Sequence, residues 1–203
     1  IPWSLVGSEM CIRDSKNSCQ DLINFAQKKY GKIDILVCNA ASNPYYGDLA
    51  DIPDESFEKI MNNNVKSNLW LCKNVIPHLK KNKSGSIIII SSIAGLQGVE
   101  NLGAYSISKT ADIGLIRSLA VELGKYNITV NGLCPGIIKT DFARALWENP
   151  DILKDVESYA PLKRIGTTDE VAGAAILLAS KPGSFITGQV ITMDGGITIA
   201  GRG

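Results

Sequence analysis

The chain has 203 residues, 45% hydrophobic and 20% charged, and its 21 Lys and Arg against 20 Asp and Glu leave a formal net charge of +1. That length makes one domain, at roughly 100–200 residues per domain, able to bury on the order of 70% of its unfolded surface. Balanced charge excludes a general attraction to nucleic acid or to an anionic membrane, and no apolar run reaches the ~18 residues that span a bilayer.

Residues 1–15 carry Pro2, Trp3, Gly7, Met10 and Cys11 with no sustained period. They lack a basic segment followed by a long apolar one, so they are a poor signal peptide. They resemble translated sequencing adapter and are expected to be non-native or disordered. From Lys16 a regular alternation begins. Residues 16–30 have apolar positions at Leu22, Ile23, Phe25 and Ala26 and close on Gly31, which predicts an amphipathic helix. Residues 33–38 predict a short buried strand. Residues 56–81 predict one long helix, with Asp54 and Glu55 ahead of it and Lys80 and Lys81 at its end, as the helix dipole prefers; Pro77 is expected to kink or shorten it. The isoleucines at 87–90 predict a strand buried on both faces over 86–91. Helices over 104–125 and 168–180 and strands over 128–133 and 189–193 complete the pattern. Buried strands alternating with helices predict an α/β fold with a doubly wound parallel sheet.

Five cysteines, Cys11, Cys19, Cys38, Cys72 and Cys134, are an odd count without a close pair. That fits neither a disulfide framework nor a metal knuckle, and it points to a reducing compartment. The single histidine, His78, removes any His-rich metal site and argues against a Ser-His-Asp triad. The expectation is a cytoplasmic globular domain, an enzyme or a binding module, with no metal.

In such sheets ligands bind beyond the carboxyl ends of the strands. A strand–glycine–helix unit, the usual cradle for a dinucleotide diphosphate, occurs nowhere in the chain, which opens on a helix. The domain is therefore expected to lack its first strands and its glycine-rich loop.

The informative stretch is 86–109. Its strand delivers Ser91 and Ser92 to its carboxyl end, and Tyr105 and Lys109 follow, four apart on one helical face. A free phenol titrates near ~10. An ammonium ~4 Å away contributes up to about 4 kcal/mol at an effective dielectric near 20, roughly three pH units at most. That is expected to bring Tyr105 toward the range of a general acid/base, with Ser92 holding the oxygen being protonated. A tyrosine and a lysine four apart also occur as a plain amphipathic pair; the serine at a strand end makes the combination specific.

From about Lys32 to Gly196 the chain resembles the short-chain dehydrogenase/reductase family, and within it the carbonyl and retinol reductases. The residues that carry the resemblance are Cys38-Asn39-Ala40-Ala41, Asn64-Val65, Ser91-Ser92, Tyr105 to Lys109, Asn131, Pro135 to Thr140, Gly188-Gln189 and Asp194-Gly195-Gly196. The resemblance implies a Rossmann-like fold and transfer of a hydride between NAD or NADP and an alcohol or carbonyl. NADP is the cofactor it favours. It implies that Tyr105 donates and accepts the proton, that Lys109 lowers its pKa and binds the nicotinamide ribose, that Ser92 orients the carbonyl, and that Asn64 holds a water relaying protons to Lys109. Asn39, Ala40 and Ala41 would line the adenosine side, and Pro135, Gly136, Ile138 and Thr140 would wrap the nicotinamide. Asp194-Gly195-Gly196 reads as a structural turn. Phe142, Leu146 and Trp147 fall where the family has a mobile substrate lid, or they pack into the core. Residues 16–203 thus read as an incomplete catalytic domain.

Two departures stand out. Cys38-Asn39-Ala40-Ala41 replaces the family's usual Asn-Asn-Ala-Gly, and the glycine-rich diphosphate loop has no counterpart. The 203-residue chain is therefore expected to be an inactive fragment or pseudo-enzyme unless that site is supplied. A remote alternative is a Ser-Lys acyl transferase, from Ser106-Ile107-Ser108-Lys109, but its companion Ser-Asp-Asn and Lys-Thr-Gly elements are missing. The partners expected are a small carbonyl or alcohol and further copies of the chain, as a dimer or tetramer. Leu115, Leu119 and Val121 leave both sides of the second long helix partly apolar.

Overall fold

A computed structural model describes residues 15–200. The segment expected to be foreign, apart from Ser15, lies outside the described residues. Ser15 itself starts helix α1 (Lys16–Tyr30): its hydroxyl accepts from the Ser18 amide at 3.1 Å, supplying one of the partners that the first turn cannot find within the helix. Gly31 ends the helix with φ 71°, and its N–H reaches Gln27 O at 2.9 Å.

Strand β1 (Ile35–Cys38) follows, then helix α2 (Asp54–Met61), a π turn (Asn62–Lys66) and helix α3 (Ser67–Asn82). The single helix expected over 56–81 is therefore broken. Three consecutive asparagines, weak helix formers, occupy the break, and a π turn inserts one residue that re-aims the side chains around it. Pro77 sits inside α3 without ending it. It and Lys73, whose carbonyl it leaves without an amide partner, are both exposed, so water can take that bond.

Strand β2 (Gly85–Ile90), helix α4 (Gly103–Leu123), strand β3 (Ile128–Pro135), helices α5 (Arg144–Trp147), α6 (Pro150–Tyr159) and α7 (Thr168–Ala179), and strand β4 (Val190–Met193) complete the chain. The sequence pattern had not indicated α5 and α6. The strands form one parallel sheet in the order β1-β2-β3-β4.

The pleat of β2 explains its isoleucines. Ile87 and Ile89 point into the core under α1, α3 and α4, with Leu36, Cys38, Leu71, Val75, Ile116 and Val130. Ile88 points the other way, into a second core with Leu133 and Leu178 under α7. All three are fully buried, as period-2 alternation between two covered faces requires. β1 is the exception. It pairs only with β2, and Ile35 and Val37, on its second face, are 46% and 47% exposed. Among the described residues it is an apolar edge. In α4, Leu119 is buried and Leu115 is partly buried against the core, while Val121 is exposed.

Candidate active site

Because all four strands are parallel, their carboxyl ends share one rim. Residues 39–42 leave β1 there, Ser91 and Ser92 leave β2, and residues 136–140 leave β3. Two hydrogen bonds and a close backbone approach dock α4 against this rim. The Ser91 hydroxyl donates to Lys109 O at 2.8 Å, and Thr110 Oγ1 donates to Gly95 O at 3.0 Å. A Cβ at Gly95 would lie 2.8 Å from the carbonyl carbon of Lys109, so only glycine lets the turn after Ser92 come this close.

Docking brings Ser92, Tyr105 and Lys109 together. Ser92 Oγ accepts from Ala94 N at 3.1 Å, which leaves its proton to be donated, and its side chain is hydrogen-bonded to the Tyr105 phenol. Lys109 is 2% exposed, with its ammonium 5.6 Å from the centroid of the Tyr105 ring. It donates to Ile90 O at 2.8 Å and faces Asp112 Oδ2 at 3.4 Å.

The protonation state differs from the sequence expectation. Lys109 was expected to lower the Tyr105 pKa; instead burial pushes the phenol up to about 12, with Ser92 lowering and the negative Asp112 raising it. The physical reason is first the burial, which penalises the charged phenolate, and then the nearby negative Asp112, which adds to it.

Asn64 is fully buried in the π turn. Its Oδ1 accepts from Ser42 N at 2.8 Å, and its Nδ2 donates to Ser42 O and to Ser108 Oγ, both at 3.0 Å. Both amide protons are committed to protein partners, so the side chain locks the loop after β1 to α4.

The segment after β3 is folded by its own backbone. Ile138 forms a parallel bridge with Gly166, using Lys139 N and Ile137 O. In such a bridge the N–H and C=O of the central residue point to the opposite side. Thr140 O accepts the Trp147 indole N–H at 2.8 Å, which ties α5 back to the loop. The Phe142 ring lies 6.4 Å from the Tyr105 ring, while Leu146 is partly exposed. Asn131 joins β3 to the approach of β4 through Ile186 O and Gln189 N. Asp194 closes a turn on Gly196 N and Thr198. A cavity of about 640 Å³ lies beyond β4, bordered by Ile138, Val156, Leu162, Met193 and Asp194; Ser92, Tyr105 and Lys109 do not line it.

The residues present fit the nicotinamide half of a dinucleotide: a buried ammonium at the rim, and a backbone N–H and C=O pair at Ile138 turned away from its bridge. Of the diphosphate half, the described residues hold neither a strand before β1 nor a glycine in residues 39–42. Among the described residues, no group of three or more His, Cys, Asp or Glu could hold a metal ion. Sequence reading missed Ser42, Asn68, Gly95, Ser108 and Asp112. Only Asp112 carried a signal, since it lies three after Lys109 and seven after Tyr105 on the same helical face.

A parallel sheet with helices on both faces places the chain among Rossmann-like α/β proteins, and the comparisons narrow this. A family model described as Enoyl-(Acyl carrier protein) reductase matches residues 12–198. Dehydrogenase/reductase SDR family member 4 of Bos taurus is 43% identical over 175 residues, which is 86% of this chain. The chain spans 63% of the length of that relative. The solved structure of ElxO with NADP bound superposes with a TM-score of 0.85 at 34% identity, covering 93% of this chain and 76% of that one. A 7α-hydroxysteroid dehydrogenase complexed with NADH and 7-oxo glycochenodeoxycholic acid gives 0.86 at 36% identity, covering 90% and 71%. The chain belongs to the short-chain dehydrogenase/reductase family of oxidoreductases.

Proposed function

We propose that this chain carries the catalytic portion of an NAD(P)-dependent oxidoreductase that interconverts an alcohol and a small or medium ketone or aldehyde. The observation that supports it best is the Ser92–Tyr105–Lys109 cluster at the carboxyl rim of the sheet. When bound, the cofactor supplies or receives the hydride at C4 of its nicotinamide. Tyr105 moves the proton: in reduction its O–H protonates the carbonyl oxygen as the carbon gains hydride. Ser92 donates a hydrogen bond to that oxygen, which stabilises the charge developing on it. Lys109 holds the ribose hydroxyls through its ammonium, and the backbone of Ile138, with Pro135, Gly136 and Thr140 beside it, holds the carboxamide side. Asn39, Ala40 and Ala41 line the adenosine side. Asn64, braced by its bonds to Ser42 and Ser108, would hold the water that relays protons to Lys109. Phe142 walls the substrate side of Tyr105, with Leu146 and Trp147 behind it. NADP is the cofactor to test first, because both NADP and NADH occur in the solved relatives and the resemblance favours NADP. We place the protein in the cytoplasm, where its four described cysteines stay free thiols. We further propose assembly of the chain into a dimer or tetramer.

The test mixes the purified chain with NADPH or NADH and a reactive carbonyl and follows loss of the reduced-nicotinamide absorbance. Steady consumption that Tyr105→Phe abolishes is the expected result; consumption that survives Tyr105→Phe overturns the assignment. A second reading, a chain unable to hold the cofactor by itself, is favoured by the absence of a glycine-rich turn among the described residues. Titration of NADPH fluorescence separates the two, since only the second predicts no saturable binding.

A further inference from the structure

Below the rim, α3 and α4 are joined by polar side chains where two packed helices normally meet through apolar ones. Asp112 is fully buried, as are Asn64 and Ser108, and Asn68 is 1% exposed. Asp112 Oδ2 faces Lys109 Nζ at 3.4 Å, and its Oδ1 accepts from Asn68 Nδ2 at 2.9 Å. Asn68 Nδ2 also donates to Asn64 O at 2.6 Å. From Asn64 the chain of contacts returns to α4 through Ser108 Oγ, which donates to Tyr105 O at 2.7 Å. The circuit is closed: it starts and ends on the helix that carries Tyr105 and Lys109.

A carboxylate sealed from water is costly unless paired. Here its partner is the lysine assigned above to the ribose hydroxyls. The pair has a consequence for each member. A buried lysine tends to lose its proton, and an adjacent anion keeps it charged. The same anion lies 3.4 Å from the ammonium, which also donates to Ile90 O, and it raises the Tyr105 phenol.

We infer that Asp112 is a positioning residue of the site: its carboxylate is the buried counter-ion that keeps Lys109 charged, draws its ammonium toward Ile90 O and shields the Tyr105 phenol from it. This rests on the roles proposed for Tyr105 and Lys109. The titratable groups facing Asp112 are Lys109 and Tyr105 on its own helix, Cys72 on α3 and Cys134 on β3. Both thiols are pushed up, Cys72 by its hydrogen bond to Cys38 and by burial, Cys134 by burial, so they stay protonated and Lys109 is the charge that answers Asp112.

The test reads the phenol directly, with no cofactor present. Ultraviolet difference titration of tyrosinate, with the Tyr105→Phe protein subtracted, follows Tyr105 alone. In Asp112→Asn, close to isosteric and still able to accept from Asn68, the Tyr105 transition is expected to fall by about one pH unit or more, because the anion that raises it is gone and the cation is unshielded. The double variant Lys109→Met with Asp112→Leu removes both charges and is expected to return the transition toward its parent position. It also guards against a single variant that does not fold, since replacing a buried ion pair by apolar side chains is often neutral or stabilising. A transition unmoved in the folded Asp112→Asn protein, or one equally displaced in the double variant, overturns the inference; either would leave Asp112 as packing only. The outcome is independent of turnover, so failure of the proposed reaction, read from Tyr105→Phe kinetics, is distinguishable from failure of this assignment.

Discussion

At the scale of single residues, the site depends on how Ser92 and Tyr105, both partly exposed, share one corner with the buried Lys109. Tyr105 is protonated throughout the neutral range, burial having pushed it up to about 12. In the proposed reaction it would serve as the acid for carbonyl reduction, and alcohol oxidation is expected to quicken as pH rises toward that value, where phenolate becomes available. Tyr105→Phe should lower turnover in both directions by roughly 10²–10⁴-fold, the usual worth of a positioned acid/base, with little change in the urea midpoint at neutral pH. The raised value has a stability consequence. The folded state holds the Tyr105 proton more tightly than the unfolded chain, so its contribution is fully present below the ordinary phenol value and disappears as pH rises through about 12. Urea midpoints at about pH 9 and about pH 11 are expected to differ less in Tyr105→Phe than in the parent protein. An equal difference would show that Tyr105 is not shifted.

At the scale of elements, helix ends and close approaches set the geometry. The turn after Ser92 packs on the backbone of α4 only because Gly95 has no side chain. Gly95→Ala forces backbone atoms apart and is expected to cost about 1–3 kcal/mol of stability, as overpacked sites do, and to lower kcat by displacing Ser92 from Tyr105. Thermal melts and steady-state rates on the same preparation check both. A kcat unchanged at a lower melting temperature would mean that the turn supports stability but not the reacting geometry. Helix α7 begins with a capping box between Thr167 and Glu170, and Arg164 pairs with the same carboxylate. The Arg164 guanidinium, with the Thr167 amide, holds Glu170 down to about 2. The sign follows from a depressed folded-state value: the contribution is present above the ordinary carboxylate range and is lost as pH falls toward about 2. Glu170→Gln is expected to flatten the decline in urea midpoint between about pH 6 and about pH 3, and a decline as steep as the parent's would count against it.

At the scale of the whole molecule, the central strands of the sheet are covered on both faces, while β1 forms an edge among the described residues. Ile35 and Val37 are half-exposed on β1, whose outer backbone edge pairs with no strand among the described residues. Exposed apolar edge strands template pairing with other chains. Val37→Lys is expected to reduce concentration-dependent self-association, seen by light scattering, without lowering the melting temperature. An unchanged scattering profile would show that the edge is not the sticky surface. No described helix is long and apolar enough to cross a membrane.

Much of this was legible in the residues themselves, and the reason is local physics. Period-2 burial makes the isoleucines of β2 readable as a strand covered on both sides, a C-terminal glycine marks the end of α1, and a four-residue spacing sets Tyr105 and Lys109 on one face. The π turn at Asn62–Lys66 was not readable, because it is stabilised by Ser42 and Ser108, residues distant in sequence. Helix α5 was not readable because it is only four residues long, its Trp147 held by Thr140 O; α6 did carry local signals, Asn149 as its N-cap and Pro150 in its first turn. The sequence alone determined the class of fold, the family resemblance and the identity of the groups able to move a proton. Only the tertiary structure decided their ionisation, because a pKa answers to everything within a few ångströms. Asp112 reaches Lys109 through helical geometry, but the burial that makes its charge felt comes from α3 and β3 closing over it.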